Sequence, residues 1–90
     1  MQDIDLARKF YEQALTYKPD FVEANVNIGV IEEECGDVGN AFDHFKTALS
    51  FNNEKIEAIN GIIRVAINPD NLGKLSTLQM EWFNNNFEEG

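Results

Sequence analysis

The feature that most constrains this chain is a period. Ala7 and Ala41, Tyr11 and Phe45, Ala14 and Ala48, Leu15 and Leu49, Glu23 and Glu57, and Ala24 and Ala58 all stand 34 residues apart. A fixed spacing of that length marks a repeat architecture. A unit of this size is a helix pair whose apolar faces are covered only by neighbouring pairs, so the chain should build an open stack and not a closed globule. The central copy runs from Asp20 to Asn53, and its pattern continues on either side.

Local signals divide the chain into five helices. Ile4, Ala7, Phe10, Tyr11, Ala14 and Leu15 have the i, i+3, i+4, i+7 spacing of an amphipathic helix; Asp3 can cap it and Pro19 must end it near Tyr17. Asp20 with Glu23 reads as a relative of the capping box opening a second helix, Phe21 to Glu34. Gly29 inside that helix costs about 1 kcal/mol relative to alanine, which predicts a neighbouring helix too close for a side chain. Cys35-Gly36-Asp37 supplies a terminating glycine and the next cap; the third helix, Val38 to about Phe51, turns Ala41, Phe45, Ala48 and Leu49 inward. Asn53 stands where Pro19 stood and can cap a fourth helix, Lys55 to Ile67, with Ile56, Ile59, Ile62, Ile63 and Ala66 as its apolar stripe. After Asn68-Pro69-Asp70 the repeat is lost. The last helix, carrying Leu72, Leu75, Leu78, Trp82 and Phe83, begins near Asp70 or at the Ser76-x-x-Gln79 capping box, and Asn84-Asn85-Asn86 marks its fraying.

Composition narrows the function. Sixteen acidic against seven basic residues give a net charge of −9, which repels nucleic-acid phosphates and anionic lipid surfaces, so neither nucleic acid nor membrane is an expected partner. The single cysteine cannot form an internal disulfide, and no stretch resembles a signal peptide or a membrane span, which leaves the cytoplasm as the default compartment. His44 has no metal-ligating neighbours in sequence and reads as a solvated surface residue; Cys35 reads as an incidental thiol. Phosphate loops and nucleophile elbows are absent. No catalytic residue, cofactor or metal is therefore expected, and the chain is not expected to be an enzyme. The run Glu32-Glu33-Glu34 reads as a solvated face.

These residues resemble the tetratricopeptide repeat, whose pattern is W-x2-L-G-x2-Y, then A-x3-F, then P. Here Asn25-x2-Ile28-Gly29-x2-Glu32 is followed by Ala41-x3-Phe45 and Asn53; Ala7-x3-Tyr11 with Pro19 is the second half of a preceding unit, and Ile59-x2-Ile62-Ile63-x2-Ala66 a degenerate first half of the next. Asn25 for tryptophan, Glu32 for tyrosine and Ile63 for glycine are departures. The resemblance covers residues 3 to 67. It implies an all-α, right-handed stack of antiparallel helix pairs forming one array: residues 3–19 the second helix of a partial repeat, 20–53 a full repeat, 54–68 the first helix of a degenerate repeat, and 69–88 a closing helix. A generic helical bundle is the rival fold, but it has no reason to keep a 34-residue period.

The resemblance also implies a non-enzymatic scaffold, part of a longer repeat protein, that binds a peptide or partner helix along the first helix of each pair. On that mapping Glu23, Val26, Asn27, Val30, Glu33 and Glu34 of the second helix and Glu57, Asn60, Gly61 and Arg64 of the fourth face the groove. The family's carboxylate clamp for acidic C-termini requires basic and amide side chains where Val26 and Val30 stand, so that ligand is not expected. Because four glutamates outnumber Arg64, the partner should be basic or neutral. Asp3 falls one period before Asp37, so the chain opens at the start of a second helix. Its face, with Ile4, Ala7, Phe10, Tyr11 and Ala14, should then serve self-association or the docking of upstream repeats.

Overall fold

The period is written into the backbone. The computed structural model describes residues 3–87; among these it contains five α-helices and no strand. They are α1 (Ile4–Tyr17), α2 (Val22–Glu34), α3 (Val38–Phe51), α4 (Ile56–Ile67) and α5 (Thr77–Phe87), with one 3-10 turn at Pro69–Asn71 between α4 and α5. Helices α1 and α3 start one period apart, as do α2 and α4. Their ends agree in detail: Lys18 after α1 has φ −143° and ψ 85°, Asn52 after α3 has −148° and 95°. Phe21 before α2 has −73° and 98°, and Lys55 before α4 has −70° and 104°. Pro19 is thus not needed for the loop, because Asn53 closes the same turn without it.

Packing follows chain order, α1 on α2, α2 on α3 and α3 on α4, with α2 and α4 also in contact. The centre is Phe45. Its ring is fully buried between two glycines: a Cβ on Gly29 would fall 2.7 Å from Cε1 of Phe45, and one on Gly61 would fall 2.6 Å from its Cζ. Such distances are closer than nonbonded carbons approach, so neither helix could lie where it does with a side chain at these positions. Ala41, Phe42, Ala48, Ala58, Ile62 and Val65 complete the buried core. Helix α1, by contrast, contributes no buried residue. Val38, Ala41 and Phe45 are buried because α2 lies over them; Ile4, Ala7 and Tyr11, one period earlier, are only half-buried.

Several local expectations need correction. Asp3 does cap α1, accepting from the Leu6 amide at 3.0 Å. Asp20 does not cap α2: the helix starts one residue later, from Phe21, with no side-chain cap, and Asp20 instead pairs with Lys18 at 3.3 Å. Asp37 occupies the cap position of α3 but its carboxylate accepts from the side-chain Nδ2 of Asn40 and caps no backbone amide, and Asn53 yields the cap position of α4 to Lys55. Between α2 and α3, Gly36 takes φ +85° and closes a Schellman turn: its amide donates to the Glu33 carbonyl at 3.1 Å and that of Asp37 to Glu32 at 2.8 Å. In α4 the buried stripe is Ala58, Gly61, Ile62 and Val65, whereas Ile56 is exposed and Ile59, Ile63 and Ala66 are half-buried. Apolar residues nearly encircle this helix, so periodicity alone did not fix its phase; the small residues did, since they allow the closest approach.

Helix α5 begins at the capping box, with the Gln79 amide donating to Ser76 Oγ at 3.1 Å and the Ser76 amide to Gln79 Oε1 at 2.8 Å. It runs through Asn84-Asn85-Asn86 to Phe87. Trp82 meets Phe42 edge-to-face at 5.8 Å between centroids, Phe83 stacks on Phe87, and Gln79 Nε2 donates to the Gly39 carbonyl at 3.1 Å. Leu72 and Leu78, expected in this contact, are exposed.

Candidate functional site

Side chains from α2 and α4 meet along one face. Arg64 donates from Nε and Nη2 to both carboxylate oxygens of Glu33, at 2.7 and 2.6 Å, a two-point contact that fixes the spacing of the helices. The hydrogen bonds to Glu33 push the guanidinium's affinity for its proton further up. At the other end Lys55 bonds Glu23 and lies 3.6 Å from Glu57. The hydrogen bond to Glu23 raises the lysine's pKa. Sequence reasoning read Lys55 as the first residue of the fourth helix and did not count it on this face; it stands one period after Phe21, the residue before α2. Counting it, the face carries two cations for its four glutamates, and Glu23 and Glu33 are already paired. The acidity expected of this face is therefore largely internal.

The other candidates divide. Glu57, Asn60 and Glu34 are exposed, and Asn27 and Val30 are half-buried. Val26 belongs to the buried core and offers no floor to a ligand. Gly61 lies beneath the face, against Phe45, and is likewise withdrawn from it. Asn27, Val30 and Glu34 join Ile4, Ala7, Tyr11 and Ile31 around a depression of about 240 Å³ between α1 and α2. Residues expected to serve two separate surfaces are thus neighbours in one. Phe10 and Ala14 stay outside it, Phe10 being 62% exposed.

Glu32 departs furthest from the solvated face expected of it. It is buried, with His44 Nδ1 at 2.7 Å from Oε1, and His44 is itself only half-exposed. Burial pushes this carboxyl above its ordinary value of 4.5, against the pull of the His44 hydrogen bond and charge. A carboxylate whose folded pKa is raised loses stability as pH climbs from 4.5 through that raised value, because the folded state holds the proton more tightly than the unfolded one. Glu32→Gln, whose carbonyl still accepts from His44, should therefore gain stability relative to the parent between pH 4 and pH 7. Urea denaturation of both chains at the two pH values checks the sign, and a gain that shrinks with rising pH would contradict it.

A second, larger cavity of about 440 Å³ lies among α3, α4 and α5, lined by Lys46, Leu49, Ser50, Asn53, Ile59, Trp82, Asn86 and Phe87. Lys46 Nζ sits 5.4 Å from the Trp82 ring centroid. Nothing in the sequence pattern pointed to it, since it arises from the non-repeating helix α5. Among the described residues no group of three or more His, Cys, Asp or Glu side chains is placed to hold a metal ion, and no helix is long and apolar enough to cross a membrane.

Comparison with known families bears on the N-terminal end. The family model of the tetratricopeptide repeat matches residues 1–21. That stretch is similar to a tetratricopeptide repeat. The match falls on α1 and the turn after it, the stretch read above as the second half of a repeat, and the packed helices through α4 are consistent with the same fold. No curated protein and no solved structure matches the chain significantly. Tetratricopeptide repeats are in general protein-interaction modules, and the all-α fold of adjacent packed helices is consistent with that class.

Proposed function

We propose that the chain is a non-enzymatic scaffold that binds a peptide or partner helix of another protein along the α2/α4 face. The observation that carries this is the Arg64–Glu33 contact: it clamps two helices side by side, so Glu57, Asn60 and Asn27 are presented at a fixed spacing. Fixed amides are suited to an extended backbone, and preorganisation lowers the cost of binding. Glu34 and Glu57 carry no cation of their own beyond the one Lys55 shares with Glu23 and Glu57, which favours a basic or neutral partner over an acidic one.

A partner recovered by affinity capture and mass spectrometry should bind Glu23→Lys/Glu57→Lys at least about fivefold more weakly than the parent, because the double reversal breaks the Lys55 bridge and repels basic ligands. Isothermal titration measures it. Unchanged affinity would move the contact off this face, with the cavity at Trp82 the next to test.

The second reading, self-association through α1, is favoured by one observation. This helix has no buried residue and exposes Leu6 and Phe10. On this reading Phe10→Glu leaves the helices folded and abolishes the dimer in sedimentation.

A further inference from the structure

The cavity of about 440 Å³ among α3, α4 and α5 joins apolar walls to a cation. Leu49 of α3, Ile59 of α4 and the rings of Trp82 and Phe87 of α5 form the walls, while Lys46 and Asn53 are among its polar groups. Its lining shares no residue with the α2/α4 face. We propose that this cavity binds a small organic monocarboxylate with a flat apolar body, the body against Trp82, Leu49 and Ile59 and the carboxylate on Lys46.

The walls are braced. Trp82 meets the fully buried Phe42 edge-on, with 5.8 Å between centroids, and Phe87 lies tilted against it at 5.9 Å, so the indole is held at the border of the space and does not collapse into it. Lys46 Nζ, 5.4 Å from the indole centroid, is drawn to the same border by the negative face of the ring. That contact leaves the positive charge without a counter-ion. Asp43, one turn earlier on α3, accepts instead from Gln79 Nε2 at 3.0 Å, and among the described residues no ion pair involves Lys46. An ammonium has three donors and no acceptor, so it calls for an anion. The charge of that anion is limited by the rest of the molecule: one cation in a chain of net charge −9 matches a single negative charge, and a doubly charged phosphate ester would be repelled. The volume falls within the range of about 300–1,000 Å³ of small-molecule sites, which are likewise apolar with a few placed polar groups. Trp82, Asn86 and Phe87 all come from α5, the helix that departs from the period, so a plain continuation of the repeat would not build this site.

The test follows the indole Nε1–H signal of Trp82, the chain's only tryptophan, in heteronuclear NMR spectra of the full chain titrated with naphthalene-1-acetate and, separately, with its neutral amide. The acetate should move that signal saturably with a Kd of about 1 mM, the scale for a ligand of this size at ordinary efficiency. It should bind about fivefold more tightly than the amide, as one partly exposed charge contact allows. Lys46 is exposed, so Lys46→Gln and Lys46→Arg should both fold; the first should abolish the preference for the acid and the second retain it. Ser50→Phe, an exposed lining position whose new ring enters the cavity, should weaken both ligands. A signal that does not saturate by about 10 mM, equal affinity for acid and amide, a preference that survives Lys46→Gln, or undiminished binding to Ser50→Phe would overturn the proposal. So would a short peptide ending in a phenylalanine carboxylate that binds more tightly than the naphthyl acid, since the site would then belong to a protein C-terminus.

Discussion

Phe45→Ala should cost the fold about 3–5 kcal/mol, the usual range for deleting a fully buried ring. The side chain is completely inaccessible and is gripped by both α2 and α4. Its loss opens a cavity where two glycines can contribute nothing to fill it. Small domains hold about 5–15 kcal/mol in total, so the variant should lose a large fraction of its stability. Urea denaturation followed by circular dichroism reads the effect. A loss under about 1 kcal/mol would mean that α2 and α4 do not close on this ring.

The reciprocal changes are nearly as large. Gly29→Ala and Gly61→Ala each improve helix propensity by about 1 kcal/mol, yet both should destabilise by about 1–3 kcal/mol net. Each new methyl would meet the Phe45 ring at under 3 Å, and the ring cannot retreat because the other glycine's helix is already in contact on its far side. Phe45→Leu removes the outer ring atoms that the methyl meets, so in that background Gly29→Ala should cost much less. The double-mutant cycle isolates this coupling, and additive effects would place the clash elsewhere.

Gly29 shows how much of this was legible in the sequence. A glycine inside a helix is unfavourable on its own, and that alone predicted a close neighbour. Gly61 carried the same message but was assigned to the ligand face, because the family pattern places its glycine where Ile63 stands. Applying the local reasoning at Gly61 would have found the second half of the clamp, since the two glycines lie equally far in sequence on either side of Phe45. Helix number and the glycine-terminated turn at Gly36 were also legible, because each depends on contacts a few residues apart, whereas the start of α5 stayed open between Asp70 and the capping box at Ser76. The ion pairs were not. Lys55 with Glu23 and Arg64 with Glu33 join helices about thirty residues apart, and nothing in charge spacing along one helix reports which cation reaches across. Glu32 was misread for a related reason: a run of three glutamates looks solvated until one knows that α3 brings His44 against the first of them. Of the candidate ligand residues, Glu57 and Asn60, nominated through the family resemblance, are exposed, and the burial of Val26 was not readable because α2 is covered on two sides.

The central claim is that one aromatic ring, held between two glycines, sets the geometry of the stack. A two-dimensional NOE spectrum tests it most directly. The ring protons of Phe45 should give strong cross-peaks to the Hα protons of both Gly29 and Gly61, and both glycine signals should be displaced by the ring current. Cross-peaks to Gly29 alone would contradict the account, because α4 would then not return to α3 and the α2/α4 face would not exist.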